Sequence, residues 1–188
     1  MTNTYIQKKG AIKHTFTLKD DLFNFAYEEK RGSGDTDFNY ADLPLKSSIQ
    51  IEQNEWLRNV GYLWIAVGAL QLFYSQTIFW LVIGVGCVAW AVYSKIKYTV
   101  YRTERGNVFI IQNDQSQALI NELFERRSAQ LLKWYGDINA ENTLENEVKK
   151  FNWLVEQGAL SKLDADKKIA QAELLMKDEH GISSDQLN

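Results

Sequence analysis

The chain has 188 residues, enough for one medium-sized domain with a small appendage and a substantial hydrophobic core. Its net charge is -3, with 8 Lys/Arg against 9 Asp/Glu in residues 1–58 and 13 against 15 in residues 95–188. This balance excludes a basic nucleic-acid-binding arm and an acidic tail, so we predict no nucleic acid partner.

The single cysteine, Cys87, excludes a disulfide framework or a four-cysteine metal site within one chain. The N-terminal segment has no apolar run after its basic residues, so we expect no cleaved signal peptide.

Residues 1–56 are predicted to supply the N-terminal strands of a small cytoplasmic sheet module. Apolar side chains alternate in "KHTFTL", "LFNFAYEEK" and "DFNYADL". We predict a turn at "RGSGD", and "SSIQIEQ" adds one more strand after the only proline, Pro44.

The next segment contains 36 uncharged residues, from Asn59 to Ser94. A single helix of this length would measure about 54 Å, against about 30 Å for a hydrocarbon core. A turn at Ser75-Gln76-Thr77 divides it into two helices, and Trp and Tyr residues lie near their ends. We therefore predict a transmembrane helical hairpin over residues 57–96, in contact with the lipid bilayer. The alternative is a buried helical hairpin of a soluble protein.

Basic residues flank only the outer ends of this hairpin, which predicts an inner-membrane protein with two spans and both termini in the cytoplasm. They are Arg58, Lys95, Lys97, Arg102 and Arg105. These side chains either contact anionic headgroups or only determine topology. Gln71 is the one strongly polar side chain within a predicted span, where it would bond to a neighbouring helix, line a pore or meet interfacial water. Glycines such as Gly61, Gly68, Gly84 and Gly86 suit close helix packing.

Residues 97–136 are predicted to complete the sheet module. Two strand-like runs meet near Arg105-Gly106-Asn107, and a capping-box pattern at Asp114 and Gln117 opens an amphipathic helix. Its apolar stripe is predicted to include Ile120, Phe124, Leu131 and Trp134. Such a helix could close one side of a small antiparallel sheet.

This order of elements, together with the segment Tyr40-Ala41-Asp42-Leu43, resembles the bacterial pleckstrin-homology-like membrane proteins, including the YcxB-like group. The resemblance covers roughly residues 11 to 135. It implies an α+β fold: a small antiparallel pleckstrin-homology-like sheet with a capping helix, interrupted by the transmembrane hairpin and followed by a C-terminal αα-hairpin.

Residues 140–177 are predicted to form that αα-hairpin, ahead of a polar tail at 178–188. Asn142 and Glu145 have capping-box spacing, Gly158 ends the first helix and Ser161 begins the second. The segment resembles the short C-terminal domain known as SHOCT. The matching residues are Leu154, Gly158, Ala159, Leu160, Ser161, Asp164 and Lys168, and the sequence departs from the family pattern at Lys162 and Ala165. The resemblance implies homo-oligomerisation or binding of a protein partner. We assign that role to Leu144, Val148, Phe151, Leu154, Val155, Leu160 and Leu163. The alternative is that the pair packs on its own sheet module.

Groups able to perform catalysis are sparse. His14 and His180 are far apart in sequence and resemble ordinary surface histidines, and Cys87 resembles a packing residue. Asp35 and Asp37 in "GSGDTD" lack the further ligands of a calcium loop. We therefore predict no enzymatic activity, catalytic residue, metal site or cofactor.

The predicted function is a membrane-anchored cytoplasmic scaffold or interaction protein that self-associates or binds a partner through its C-terminal helical pair. The alternative is a small oligomeric channel or membrane-perturbing effector gated by the cytoplasmic domain.

Overall fold

A computed structural model describes residues 2–30, 32–75, 77–139 and 141–185, with side chains up to residue 177. Over these residues the chain forms two antiparallel sheets and five α-helices, an α+β fold.

The first sheet contains four strands in chain order. They are β1 (Asn3–Lys9), β2 (Ile12–Leu18), β3 (Leu22–Glu29) and β4 (Gly32–Asn39). Alternation along β2 and β3 buries Phe16, Leu18, Phe23 and Phe25 on one face, as a period of two requires.

The second sheet consists of β5 (Ser48–Glu52), β6 (Ile96–Thr103) and β7 (Gly106–Ile111), in that order. Two helices, α1 (Glu55–Tyr74) and α2 (Phe79–Tyr93), connect β5 to β6. Glu52 at the end of β5 lies opposite Ile96 at the start of β6. The helical hairpin therefore leaves and rejoins the sheet at one point.

The core lies between the two sheets and α3 (Ser116–Tyr135). Leu119 and Leu123 from α3 are fully buried against β-strand side chains. The short 3-10 helix Tyr40–Asp42 follows β4, and the Tyr40 hydroxyl donates a 2.6 Å hydrogen bond to the backbone oxygen of Lys19. This bond satisfies a polar group that would otherwise be costly inside an aromatic cluster.

Two more helices follow, α4 (Leu144–Glu156) and α5 (Lys162–Asp185). The side chain of Thr143 accepts from Asn146 N at the start of α4, and Gly158 has a φ of 68 directly after its C-cap. The Ser161 hydroxyl accepts from Asp164 N at the start of α5. These are common helix-terminating and helix-initiating arrangements.

The predicted transmembrane hairpin is wrong. Among the described residues, no helix combines the length and the apolarity needed to cross a bilayer. The 15 residues of α2 would extend about 22 Å, short of a hydrocarbon core of about 30 Å. The longer α1 has Glu55, Arg58 and Asn59 near its start and Gln71 in its last turn. These polar side chains lower the mean hydropathy of the helix. The predicted inner-membrane location with two spans, and the membrane-protein fold class, are therefore wrong as well. Gln76 of the predicted turn lies outside the described residues.

Candidate functional site: the outer face of the helical hairpin

The inner faces of α1 and α2 pack closely because small residues meet there. A Cβ atom at Gly61 would lie 2.9 Å from the backbone oxygen of Gly84, and one at Gly84 would lie 2.6 Å from the nitrogen of Ile65. Gly61, Gly68 and Gly84 are all buried. Trp64 and Trp80 stack across the pair with ring centroids 4.2 Å apart and an interplanar angle of 10°. The hairpin therefore has a defined internal packing.

Gly86 differs from these three glycines. It faces open space, with no heavy atom within 4 Å of a Cβ built on it. The predicted contribution of Gly86 to close helix packing is therefore wrong.

The outer face of α1 is apolar although it is exposed. A surface helix with one packed face ordinarily has polar side chains on the opposite face. Leu63, Leu70 and Phe73 are instead 61%, 62% and 86% exposed. Six of the exposed positions recur with alternating spacings of three and four residues, the spacing of a coiled-coil seam. They are Trp56, Asn59, Leu63, Ala66, Leu70 and Phe73, and Tyr62, Leu72 and Tyr74 are exposed beside them.

The outer face of α2 is apolar and exposed as well, on the opposite side of the hairpin. Phe79, Val82, Trp90 and Tyr93 are each more than half exposed. Because no charged residue occurs between Arg58 and Lys95, no ionised side chain interrupts either face. We call the exposed apolar side chains of α1 and α2 the hairpin face.

The hairpin face exposes many aromatic side chains, divided between the outer sides of α1 and α2. Seven are at least half exposed: Trp56, Tyr62, Phe73, Tyr74, Phe79, Trp90 and Tyr93. At roughly 200 Å² for each aromatic side chain, they present on the order of 1,000 Å² over the two sides. Each side is thus comparable with the largest apolar patch of a typical monomer, about 300–600 Å², and such patches are often functional. This surface indicates an interaction site.

The five basic residues predicted to face headgroups lie around the base of the hairpin, on β6 and, for Arg105, in the turn between β6 and β7. Arg58 pairs with Glu55 one turn away at 3.9 Å, and the Nε atom of Arg105 lies 3.8 Å from the Asp42 carboxylate. Lys95 is half-buried, whereas Lys97 and Arg102 are exposed. Two of the five thus have intramolecular carboxylate partners, and a contact with headgroups stays a prediction.

Gln71 lies in the last turn of α1 and is half-buried. Its backbone oxygen accepts from the nitrogen of Ser75 at 2.8 Å, which closes the helix. The Ser75 hydroxyl donates to the same oxygen at 3.2 Å. These bonds give Gln71 a local role at the end of the helix through its backbone.

The C-terminal helical pair packs against the sheet module, as in the alternative considered for it. Phe151 and Leu154 are fully buried in a cluster with Leu131 of α3 and Ala165 of α5. Val155 and Leu160 pack against this cluster. Four of the seven proposed self-association side chains thus contribute to intrachain packing.

The remaining three of these side chains are more accessible. Leu144 and Val148 are half-buried, and Leu163 is 66% exposed. Leu163 is therefore the member of the set most available to a partner.

Arg127, a residue that the sequence analysis did not single out, holds this pair in place. Its Nε atom donates to the backbone oxygen of Leu43 at 2.7 Å, and its Nη1 atom donates to that of Gln157 at 2.9 Å. Arg127 is only 3% exposed, and burial lowers the pKa of its guanidinium. Lys168 adds a 2.6 Å hydrogen bond to the backbone oxygen of Gly136. An arginine inside an amphipathic stripe resembles a surface residue in sequence, so no sequence signal distinguished it.

No family model, curated protein or solved structure matches this chain. In the part of the chain that the structure describes, no group of three or more His, Cys, Asp or Glu side chains could hold a metal ion. The hairpin face is therefore the candidate site that the geometry itself identifies.

Proposed function

We propose that this chain is a non-enzymatic scaffold protein that self-associates through its hairpin face. In this proposal two hairpins pack through the outer sides of their α1 helices, and each copy presents its sheet module and C-terminal helical pair to other molecules. The observation that supports it best is the exposed apolar stripe with coiled-coil spacing along α1. The resemblances to pleckstrin-homology-like and SHOCT-like families, and the channel alternative, stay predictions.

The size of the hairpin face suits a stable dimer. A standard protein interface buries about 800 Å² on each partner. The exposed aromatic side chains of α1, which are Trp56, Tyr62, Phe73 and Tyr74, present on the order of 600 Å². Leu63 and Leu70 of the same stripe add to this area. Covering it with the α1 side of a second copy removes apolar area from water on both copies, and this burial drives the association.

The spacing of the exposed side chains along α1 favours a second copy of this chain as the partner that covers them. A helix whose apolar residues alternate at spacings of three and four packs against an identical helix. The two helix axes then cross at about 20°, as in left-handed coiled coils. A two-fold axis makes such a contact self-complementary. Asn59 is the polar member of the stripe, and a single amide at such a position can fix register by pairing across the interface.

The test is the solution mass of the full chain in detergent-free buffer, measured by light scattering after size exclusion over a range of protein concentrations. We expect a dimer, twice the chain mass of 21.7 kDa. Leu63→Glu places a carboxylate in the middle of the hairpin face and should weaken the dimer by at least about tenfold in dissociation constant.

Leu163→Glu is the matched control, because Leu163 is similarly exposed but lies on α5. It makes the same chemical change outside the proposed interface. We expect the dissociation constant of its dimer to equal that of the wild-type chain. Loss of the dimer in Leu163→Glu alone would instead assign self-association to the C-terminal helical pair.

A vesicle-binding experiment distinguishes a second copy of the chain from a lipid surface as the partner of the hairpin face. The wild-type chain is mixed with neutral and with anionic phospholipid vesicles and sedimented. We expect the dimer to stay in the supernatant. A monomer in buffer that sediments with vesicles, and fails to do so after Leu63→Glu, would overturn the proposal.

A further inference from the structure

A cleft opens between the two sheets, beside the start of α1. It has a volume of about 1010 Å³ and is lined by residues of β2, β3, β4, β5, β6 and β7. β1 and β2 lie against β7, whereas β4 and β5 are terminal strands of their sheets and diverge. The cleft occupies the gap between them, and its volume is at the upper end of small-molecule sites.

Aromatic rings form the wall of this cleft. The imidazole of His14 stacks on Tyr98 with centroids 5.9 Å apart and meets the edge of Phe25 at 5.3 Å. His14 is only 1% exposed, so it is not the surface histidine that the sequence suggested. Its Nδ1 atom lies 2.9 Å from the backbone oxygen of Phe109 and donates to it, which fixes the ring.

Tyr27 extends the wall toward the opening. It pairs with Gly34 across β3 and β4, and a Cβ atom at Gly34 would collide with the Tyr27 ring. The glycine therefore lets this ring lie flat over β4. An aromatic side chain held in this way offers its face to a ligand at a small entropic cost.

Carboxylates surround the opening. Glu29, Glu52 and Glu55 line the cleft, whereas Arg105 is the one Lys or Arg that lines it among the described residues. The guanidinium of Arg105 has its own partner in Asp42. Glu29 lies 3.7 Å from His14 Nε2, and Glu52 accepts a 3.1 Å hydrogen bond from the Tyr98 hydroxyl. The cleft is thus aromatic at its wall and negative at its rim.

We propose that this cleft binds an organic ammonium group, as in a lysine side chain or a free amino compound. The ammonium group would lie against the face of Tyr27 and pair with Glu29 and Glu52. Aromatic faces attract such cations, and the attraction is strongest where water is excluded. Among the described residues, no side chain of the hairpin face lines this cleft.

The probes are Nα-acetyl-lysine amide, its ε-trimethylated form and Nα-acetyl-norleucine amide, titrated into the full chain by calorimetry. The norleucine compound keeps the carbonyls and the aliphatic stem but lacks the charge. We expect both cationic probes to bind and the norleucine probe to bind at least about tenfold more weakly. Equal binding of all three, or binding of none, would overturn the proposal.

Glu29→Gln and Glu52→Gln should each weaken both cationic probes several-fold. Glu28→Gln is the matched control, because it makes the same change in the same strand but pairs with Lys13 outside the cleft. A thermal unfolding curve verifies that each variant is folded. An unchanged affinity in both Glu29→Gln and Glu52→Gln, or the same loss in Glu28→Gln, would refute the assignment of these carboxylates.

A lysine-containing pentapeptide, compared with the same peptide containing norleucine, distinguishes the two sources of the ammonium group. Tighter binding of the lysine peptide than of Nα-acetyl-lysine amide identifies a protein ligand, which β5 can contact through its free edge. Binding of the amide alone identifies a small amino compound. Both results support an ammonium site.

Discussion

Arg127 Nη1 donates a 2.9 Å hydrogen bond to the backbone oxygen of Gln157 and so joins the helix that closes the sheet module to the turn between α4 and α5. The same guanidinium also bonds to the backbone oxygen of Leu43. One buried side chain thereby fixes the position of two segments that are distant in sequence.

Arg127→Met should release the C-terminal helical pair. The substitution keeps an apolar stem but leaves two buried carbonyl oxygens without donors, which costs roughly 2–3 kcal/mol of unfolding free energy. Urea unfolding measures the loss, and amide hydrogen exchange should show faster exchange in α4 and α5 than in β2 and β3. Lys133→Met on the same helix is the control, since its exposed pair with Asp21 should contribute less than about 1 kcal/mol. Equal losses in the two variants would contradict this role of Arg127.

Gly68→Ala should destabilise the hairpin. The new methyl group would collide with the backbone nitrogen and Cα atom of Leu81, which no change of rotamer can relieve. The expected cost is about 1–3 kcal/mol, measured by thermal unfolding.

Gly86→Ala is the comparison for that variant, because its methyl group points into open space. It should stabilise the helix by up to about 1 kcal/mol, since alanine loses less backbone entropy there than glycine. A stabilising Gly68→Ala would show that α1 and α2 are farther apart than described.

Lowering the pH below about 6.5 should weaken the fold through His14. Burial lowers the pKa of its imidazole, against opposing contributions from the Phe109 carbonyl and Glu29. The unfolded chain therefore binds a proton at a higher pH than the folded chain. Unfolding free energy should fall, by at most about 1.4 kcal/mol per pH unit, until the folded-state pKa is reached. Chemical unfolding from pH 7.5 to 5.5 gives this slope, and His14→Gln should flatten it. A slope that persists in His14→Gln would assign the titration to another group.

Glu122→Gln should remove a stabilising interaction that depends on a different pH range. Glu122 accepts from the Tyr5 hydroxyl at 2.7 Å and from Arg126 Nη2 at 2.8 Å. Burial alone would raise its pKa, but the hydrogen bonds from Tyr5, Arg126 and Asn3 outweigh burial and lower it. The stabilisation is present above the ordinary carboxyl pKa near 4.5 and is lost as the pH falls through the lowered value.

We expect Glu122→Gln to lose about 1–2 kcal/mol at pH 7, measured by urea unfolding. The difference from wild type should shrink at pH 3.5. Glu125→Gln, on an exposed position of the same helix, is the control. A difference that is the same at both pH values would show that charge is not the cause.

Local patterns in the sequence were more informative than its hydropathy. The alternation in β2 and β3 and the signals at Gly158 and Ser161 have structural counterparts, because each is a short-range effect of backbone geometry. By contrast, β4 begins at Gly32, so most of the predicted "RGSGD" turn is strand. Pairing with β3 outweighs the turn preference of its glycines.

The predictions that failed concern contacts between residues that are distant in sequence. Their common cause is that a single sequence does not show what covers a surface. The apolar segment suggested bilayer spans, but hydropathy does not distinguish lipid from protein as the neighbour. Trp134 was assigned to the core, yet it is 47% exposed, and Arg127 and Gln130 occupy buried positions of α3 instead. No sequence pattern predicted the cleft, because its residues come from six strands that are distant in sequence.

The insertion of the hairpin between β5 and β6 has a kinetic consequence. Strands joined by a long flexible connection pair slowly, since closing the loop costs chain entropy before any strand contact forms. The helices α1 and α2 are antiparallel and consecutive in the chain, so their residues are closer in sequence than those of β5 and β6. The hairpin can therefore form first and bring Glu52 beside Ile96. The second sheet then assembles as though its strands were joined by a short turn. Substitutions at the Gly61 and Gly84 contact should therefore slow folding, rather than only accelerate unfolding, because that contact forms before the strands pair.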